Sequence, residues 1–470
     1  MLEVAVIETP SLGDRSYLAT DGSVALVIDP QRDIDRVIAV AERQGASITH
    51  VFETHIHNDY VTGGLALARA VGADYHVNGA DEVGFDRVKI ADGDRIKVGE
   101  MQLRVIATPG HTFHHLSYAL EFGGSAVGVF TGGSLLNGST GRPDLLGSQH
   151  SATLARAQHG SAQRLAAELP AETIVYATHG FGSFCSATPT SGEASTIGAE
   201  LIANPALRLD EAAYVSSILA GLDIYPAYYA HMAPANSGGP LAPDLSPPAR
   251  LSPGELRRRL DAGEWVVDLR SRVAFGAGHV RGTRSFELSD SLATYLGWLI
   301  PWGAPLTLIG PTEADVAAAQ RDLARIGIDE VAAAGVGGLA EVAGSEPLVS
   351  YEVTNFAGYE AASRERELVL LDVRRDSEWD AARIPGAFHI PLHELEARIG
   401  EVPEGEVWVH CQAGYRAAVA ASLLDAAGRR VVLINDHFAV AKRTGLAGEP
   451  EAGAEPEAGA EPGAGAEPGI

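Results

Sequence analysis

The stretch Glu53 to Gly64, ETHIHNDYVTGG, limits this chain more than any other. An apolar run, ITHVFET, leads into it, and Gly63-Gly64 open a helical run after it. A strand that ends in an extended loop places residues i, i+2 and i+4 on one side. His55, His57 and Asp59 can therefore converge on one metal ion. Two further histidines stand at the ends of later apolar runs, His111 in TPGHTFHH and His179 in YATHGFGSFC.

Around these histidines, residues 1–190 alternate short β-rich runs with helical ones. LEVAVIE, SYLAT and VALVIDP are bounded by Gly, Asp and Pro, as strands of a meander are. DIDRVIAVAERQG has helical periodicity. A second set of strands covers DYHVN, RIKVG, MQLRVIATPG, LSYALEF and AVGVFTG, and a helix over Ser151 to Leu169 precedes TIVYATHG. This is an α/β layering with sheets inside and helices outside. Residues 192–231 are helical and aromatic, an extension of this first domain over 1–235. The Pro-, Gly- and Ser-rich run that follows predicts a linker over 236–253.

Two similar segments come next, ELRRRLDAGEWVVDLRSRVAFGAGHVRG and YEAASRERELVLLDVRRDSEWDAARIPG. Each has a helix, a buried strand ending in Asp-Leu-Arg or Asp-Val-Arg, and a short helix, and each continues into another apolar strand. They predict two copies of one small α/β domain, over 254–345 and 350–445. The remaining acidic, low-complexity residues 446–470 predict a disordered tail. The chain is thus a multidomain α/β protein, and 470 residues suit that count.

A formal charge of -26 offers no basic footprint for nucleic acid. No apolar run is long enough to span a bilayer, and MLEVAVIETPSLGD has no basic segment followed by an apolar one. The expected compartment is the cytoplasm. Only Cys185 and Cys411 are present, so no disulfide framework holds the fold.

Cys411 ends a strand and precedes a helix in HCQAGYRAAVAASLLDAAG. Successive N–H groups of Gln412, Ala413, Gly414 and Tyr415 in such a loop form an anion-binding nest at a helix N-terminus. That setting favours a thiolate nucleophile, and Arg416 adds a positive charge. With LLDVR and IPGAFHIPL before it, the loop resembles the active site of rhodanese sulfurtransferases. The resemblance makes Cys411 the carrier of a persulfide, with Gln412 to Tyr415 as substrate-binding loop and Arg416 as stabiliser. The four residues between Cys411 and Arg416 suit sulfur better than the longer loop of related phosphatases. The first repeat reads LTLIGPTEAD at the same place, without a thiol, and so predicts an inactive rhodanese-like copy.

The histidine motifs, TPGHT and FTGGSLLNGSTGRPDLLG together resemble the metallo-β-lactamase fold, an αββα sandwich, in its glyoxalase II and persulfide dioxygenase branch. That branch reads H-x-H-x-D-H, whereas Tyr60 stands here in place of the last histidine. A ligand of a second metal is therefore missing, which points to one ion per chain. In persulfide dioxygenases the ion is Fe(II), held by two histidines and a carboxylate. The matching residues are His55 and His111, but Gly133 replaces the aspartate of FTGD. His57, Asp59 or water are candidates to complete the set, and His55, His57 and His111 are the expected metal ligands. Zn is the alternative ion. Asp144 reads as a ligand or as a structural residue of GRPDL, and Arg142 as an anchor for a thiol cofactor's carboxylate or a structural cation. Cys185 is either a sulfur acceptor at the mouth of the site or an inert thiol.

The domain order resembles multidomain persulfide dioxygenase–rhodanese proteins. It implies oxidation of a low-molecular-weight thiol persulfide with O2 to sulfite and thiol, and transfer of sulfane sulfur by Cys411 to sulfite or another acceptor, in sulfide detoxification. Neither nucleic acid nor membrane is an expected partner, and a homodimer is left open. The alternatives are a sulfurtransferase alone with a non-catalytic, metal-poor first domain, thioester hydrolysis of the glyoxalase II kind, and a non-enzymatic persulfide sensor or scaffold.

Overall fold

Alternating apolar residues build the first part of the chain into two sheets packed face to face. In a computed structural model, which describes residues 1–449 except 189, 191 and 193, the first sheet takes six strands in sequence order. They are Glu3–Thr9, Asp14–Thr20, Val24–Ile28, Ser47–Phe52, Asp74–Asn78 and Val88–Ile90. The second sheet takes Arg95–Val98, Met101–Ala107, Leu116–Phe122, Ser125–Gly132, Ile174–Ala177 and Ser195–Thr196.

Side chains alternate across each strand, so every strand feeds two cores. Tyr17, Leu26, Ile28 and Phe52 of the first sheet meet Leu103, Val105, Tyr118 and Phe130 of the second. The other face of the first sheet, through Leu18, Val27 and Val51, packs on helices Asp35–Arg43 and Gly64–Val71. The other face of the second, through Ile106, Ala119 and Val129, packs on Ser151–Glu168 and Glu211–Ala220. Leu154, Ala155, Gln158, Ala162 and Leu165 are buried at helical spacing along Ser151–Glu168. That helix stops where Leu169 becomes extended before Pro170. The expected αββα layering is thus present.

The linker expected over 236–253 begins later. Helix Tyr229–Gly238 runs through Pro234 and ends on left-handed Gly239. Its Asn236 is buried, which is the physical reason that it belongs to the fold and not to a linker.

The two repeats share one parallel strand order. In the first it is Arg284–Ser285, Trp265–Asp268, Leu306–Gly310, Val331–Val336. In the second, Phe388–His389, Val369–Asp372, Glu406–His410, Arg430–Ile434 follow the same order, with Glu352–Thr354 added at the end. Arg270 grips Asp268 and the Gly278 carbonyl, and Arg374 grips Asp372 and the Ala382 carbonyl at 2.8 Å, the same offset in each copy.

Residues 1–349 form one compact unit, and the chain from Ser350 forms another. The first repeat is therefore not set apart from the sandwich. Val61 donates to the Arg325 carbonyl at 2.7 Å, and Arg325 pairs with buried Asp33 at 2.7 Å. Of the tail expected over 446–470, only 446–449 lie among the described residues. There Ala447 is buried and Gly448 exchanges backbone bonds with Arg383, so the ordered chain reaches past 445; residues 450–470 lie outside the described residues. Among the described residues, no helix is long and apolar enough to cross a membrane.

Candidate active sites

Segments following Ser47–Phe52, Met101–Ala107, Ser125–Gly132 and Ile174–Ala177 meet beyond one end of the sandwich. There His55, His111 and His179 each offer a ring nitrogen, all within 4.8 Å of one another. The Nε2 atoms of His55 and His179 are 3.5 Å apart.

The opposite nitrogens are tied off. His55 Nδ1 lies 2.9 Å from Thr54 Oγ1, whose own proton goes to Asp29. His111 Nδ1 is 2.8 Å from the Arg142 carbonyl. His179 Nδ1 faces Asp14 at 2.9 Å and Asp59 at 3.1 Å. Carbonyl and carboxylate oxygens only accept, and the Thr54 hydroxyl has given its own proton to Asp29, so these Nδ1 atoms carry protons and the neutral His55 and His111 rings turn Nε2 lone pairs to the centre. Buried His111 Nε2 has no hydrogen-bond partner, and a cation at the centre would satisfy it. Three imidazoles fit iron or zinc equally.

Electrostatics agree with that fit. Burial, with neighbouring histidines, holds His55 well below the ordinary imidazole range. Burial and His179 press His111 down to about 3. Both rings are thus neutral, as ligands must be. Burial opposes charge on His179, but Asp59 and Asp14 outweigh it and raise the ring well above the ordinary range. The carboxylates that stabilise a proton on this ring also stabilise a cation at its Nε2.

His57 does not join this set. Its Nε2 lies 3.3 Å from both Asp29 and Glu53 and 3.0 Å from the Tyr60 hydroxyl. Burial disfavours its charge, but Asp29 and Glu53 lift the ring to about 9. Its buried Nδ1 has no hydrogen-bond partner, and the ring falls in two further candidate sets, with Asp59 and His179 and with Asp29 and Glu53. Of the three expected ligands, His55 and His111 share one candidate set with His179, and His57 shares another with Asp59 and the same His179. Asp59 supports His179 from behind.

Gly133 is not a vacancy. A Cβ there would stand 2.7 Å from His111 Cγ and 2.9 Å from its Nε2, so the imidazole fills the space of the expected aspartate. On the other side of the ring, a Cβ on Gly141 would stand 2.7 Å from His111 Nδ1. The Gly133 amide donates to His115 Nε2 at 3.0 Å, and His115 Nδ1 lies 2.9 Å from Thr108 Oγ1.

Sequence reasoning missed Asn236. Its Oδ1 accepts from Thr62 N at 2.9 Å, and its Nδ2 donates to the carbonyls of His57 at 2.9 Å and Tyr60 at 2.8 Å. One side chain thus clamps the whole turn after His55; its position in a Pro- and Gly-rich run hid it. Asp14, near the start of the chain, gave no signal either.

Arg142 is structural. It chelates Asp144 at 2.7 and 2.8 Å and donates to the Asp223 carbonyl at 2.6 Å, while its backbone holds the Cys185 carbonyl at 2.8 Å. Asp144 is thereby committed to that arginine. Cys185 is fully buried, and burial with Asp59 and Asp14 pushes its thiol well above the usual range.

In the second unit, Glu406–His410 delivers Cys411 to a loop that turns on left-handed Gly414 before helix Tyr415–Ala426. The Gly414 amide donates to Cys411 Sγ at 3.2 Å. Gln412 and Ala413 are exposed at the rim, and Tyr415 is half-buried. Arg416 does not point freely at the sulfur: Glu378 holds its guanidinium with both oxygens, Nη2 at 2.8 Å. Burial favours the neutral acid, but Arg416 outweighs it and holds Glu378 down to about 2. Arg416 thus acts from within an ion pair, which fixes the helix start beneath the loop.

Comparison with known proteins agrees with both halves. The metallo-beta-lactamase superfamily matches residues 14–179, and the rhodanese-like domain matches residues 358–442. A hydroxyacylglutathione hydrolase of Rhodospirillum rubrum is 35% identical over 33% of this chain, and the match spans 56% of that protein, little more than half its length. One of Chromohalobacter salexigens is 30% identical over 46% of this chain and 91% of its own. A metallo-beta-lactamase structure from Staphylococcus aureus, 28% identical, superposes with a TM-score of 0.65 over 72% of this chain and 99% of its own. This chain belongs to the metallo-beta-lactamase superfamily and carries a rhodanese-like domain after it.

Proposed function

We propose that the chain couples a single-metal persulfide dioxygenase to a rhodanese sulfurtransferase. The observation that carries this reading is the convergence of His55, His111 and His179 beside a glycine at position 133. The trio brings three imidazoles together around the unmatched Nε2 of His111, and no side chain extends from Gly133 to bridge a second ion. Thioester hydrolysis of the kind named for the hydroxyacylglutathione hydrolases would use two ions sharing a bridging carboxylate. Here Tyr60 and Gly133 remove the residues for that arrangement.

The reaction balances as RSSH + O2 + H2O giving RSH, sulfite and two protons. His55, His111 and His179 would hold Fe(II), which would supply the redox chemistry between the persulfide and O2. Asp14 and Asp59 orient His179, Thr54 orients His55, and the Arg142 carbonyl orients His111. In the second unit, the Cys411 thiolate attacks the outer sulfur of a persulfide, and the departing thiolate leaves a persulfide on Cys411. Sulfite then attacks that outer sulfur, giving thiosulfate and restoring the thiolate. The Gly414 amide already points at Sγ, where negative charge sits in both steps.

The test is metal content of protein purified without oxygen and without chelator, with O2 uptake on a low-molecular-weight thiol persulfide. One iron per chain with persulfide-dependent O2 uptake supports the reading. Iron-loaded protein without uptake refutes it and leaves sulfur transfer by Cys411 alone, the second reading, which the absence of any carboxylate at position 133 favours.

A further inference from the structure

We propose that His50, Asp74 and His76 form a second cation site, of the kind that takes zinc, on the paired strands Ser47–Phe52 and Asp74–Asn78. In the register of these strands His50 stands opposite Asp74, and Phe52 opposite His76. All four side chains therefore share one face of the sheet. One donor atom from each of His50, Asp74 and His76 lies within 4.8 Å of the other two.

An independent observation points to a ligand. His76 is only 3% exposed, and neither of its ring nitrogens has a hydrogen-bond partner. A buried imidazole whose N–H and lone pair are both unmatched is destabilising unless another group satisfies them. His50 Nδ1 lies 2.8 Å from Thr49 Oγ1, which leaves its Nε2 for an ion. Asp74 is exposed and gives the site its opening to solvent. Burial lowers both rings, His76 to about 4, so both are neutral and able to coordinate at pH 7.

Two imidazoles and one carboxylate, with water in the fourth position, suit zinc better than magnesium or calcium. The rings of His50 and His76 lie nearly parallel, 5.3 Å between centroids and 10° apart. Coordination in the ring plane therefore requires one ring to turn about χ2, a soft torsion. None of these donors belongs to the trio of His55, His111 and His179. The ion would tie together the two strands whose first member runs directly into the loop that carries His55. Its role is a brace behind the active site.

The experiment is a zinc titration by calorimetry of the full chain, stripped of metal beforehand. Wild type should bind one more zinc than His50→Ala, and Asp74→Asn should weaken that extra binding. Both positions are at least partly open to water, so these variants keep the fold where His76→Ala risks it. The extra zinc should survive in His111→Ala, which removes a ligand of the active site and not of the brace. Equal stoichiometry in wild type and His50→Ala overturns the proposal, as does loss of the extra zinc in His111→Ala. A failure of the dioxygenase reading would leave these stoichiometries unchanged.

Discussion

Restoring the aspartate at position 133 should damage the metal centre. The position looks vacant in sequence, yet a Cβ there would meet the His111 ring at 2.7 Å from Cγ and 2.9 Å from Nε2. The ring cannot move away freely, because Gly141 packs on its other side and Nδ1 is held at 2.8 Å by the Arg142 carbonyl. The backbone at Gly133 is not left-handed, so the cost comes from crowding and not from φ. Overpacking of this kind costs about 1–3 kcal/mol. Displacing a ligand ring from its supporting bond lowers metal affinity by roughly 10–100-fold. Gly133→Ala isolates the Cβ and Gly133→Asp adds the carboxylate. Both should lower the urea midpoint and the metal retained after desalting. An aspartate variant with an unchanged midpoint and tighter metal would show that the space is open, and would refute the account of His111.

Cys411→Ser should abolish sulfur transfer to sulfite, measured as thiosulfate, while metal content and O2 uptake stay at wild-type levels; transfer that persists would remove Cys411 from the reaction. Asn236→Ala leaves buried Thr62 N without its acceptor and two carbonyls without their donor, at about 1–3 kcal/mol for an unsatisfied group; chelator competition should show weaker metal, and unchanged affinity would reduce Asn236 to packing. Glu378 is lowered in the folded state, from 4.5 to about 2, so its contribution is complete above pH 4.5 and lost as pH falls towards 2. That contribution is about 3 kcal/mol. Denaturant unfolding between pH 6 and 3 should show the loss in wild type and a flatter response in Glu378→Gln, and parallel curves would deny the coupling.

Local rules made the sandwich readable. Alternation in MQLRVIA and LSYALEF, helical spacing from Ser151, and the repeated Asp-x-Arg motif each act within a few residues and leave a direct mark. The Cys411 loop was legible for the same reason, since strand end, thiol, Gly414 and helix start are contiguous. The ligand set was not. How His57 and His179 are engaged depends on Asp29, Glu53 and Tyr60 around one ring and on Asp14 and Asp59 around the other. Those choices are made by residues distant in sequence. Asn236 and the glycine pair around His111 are likewise visible only once distant segments meet. The place of Arg416 was half legible: its position after the loop was clear, but its partner Glu378 lies 38 residues earlier.

The repeat without a thiol bears directly on the metal centre, and this can be tested by where the chain is cut. Val61, two residues past Asp59, gives its amide proton to the Arg325 carbonyl. Asp33 is buried and holds Arg325 at 2.7 Å, with Arg36 also at 2.7 Å. Thr294 donates to the Ser11 carbonyl at 3.2 Å, and Trp298 stands edge-on to Phe184 at 5.3 Å, beside Cys185. Ending the chain at residue 242 removes all of these at once except the Asp33–Arg36 pair. The cut also uncovers the apolar side chains that the repeat shields, among them Phe184. A chain of residues 1–349 keeps every one of these contacts. It should therefore unfold cooperatively and retain metal, whereas 1–242 should aggregate or lose metal on desalting. Soluble 1–242 with full metal affinity would mean that the repeat merely rests on the sandwich. The contrary result would explain how a copy without its cysteine serves this chain: it closes the outer side of the loop from which the ligands project.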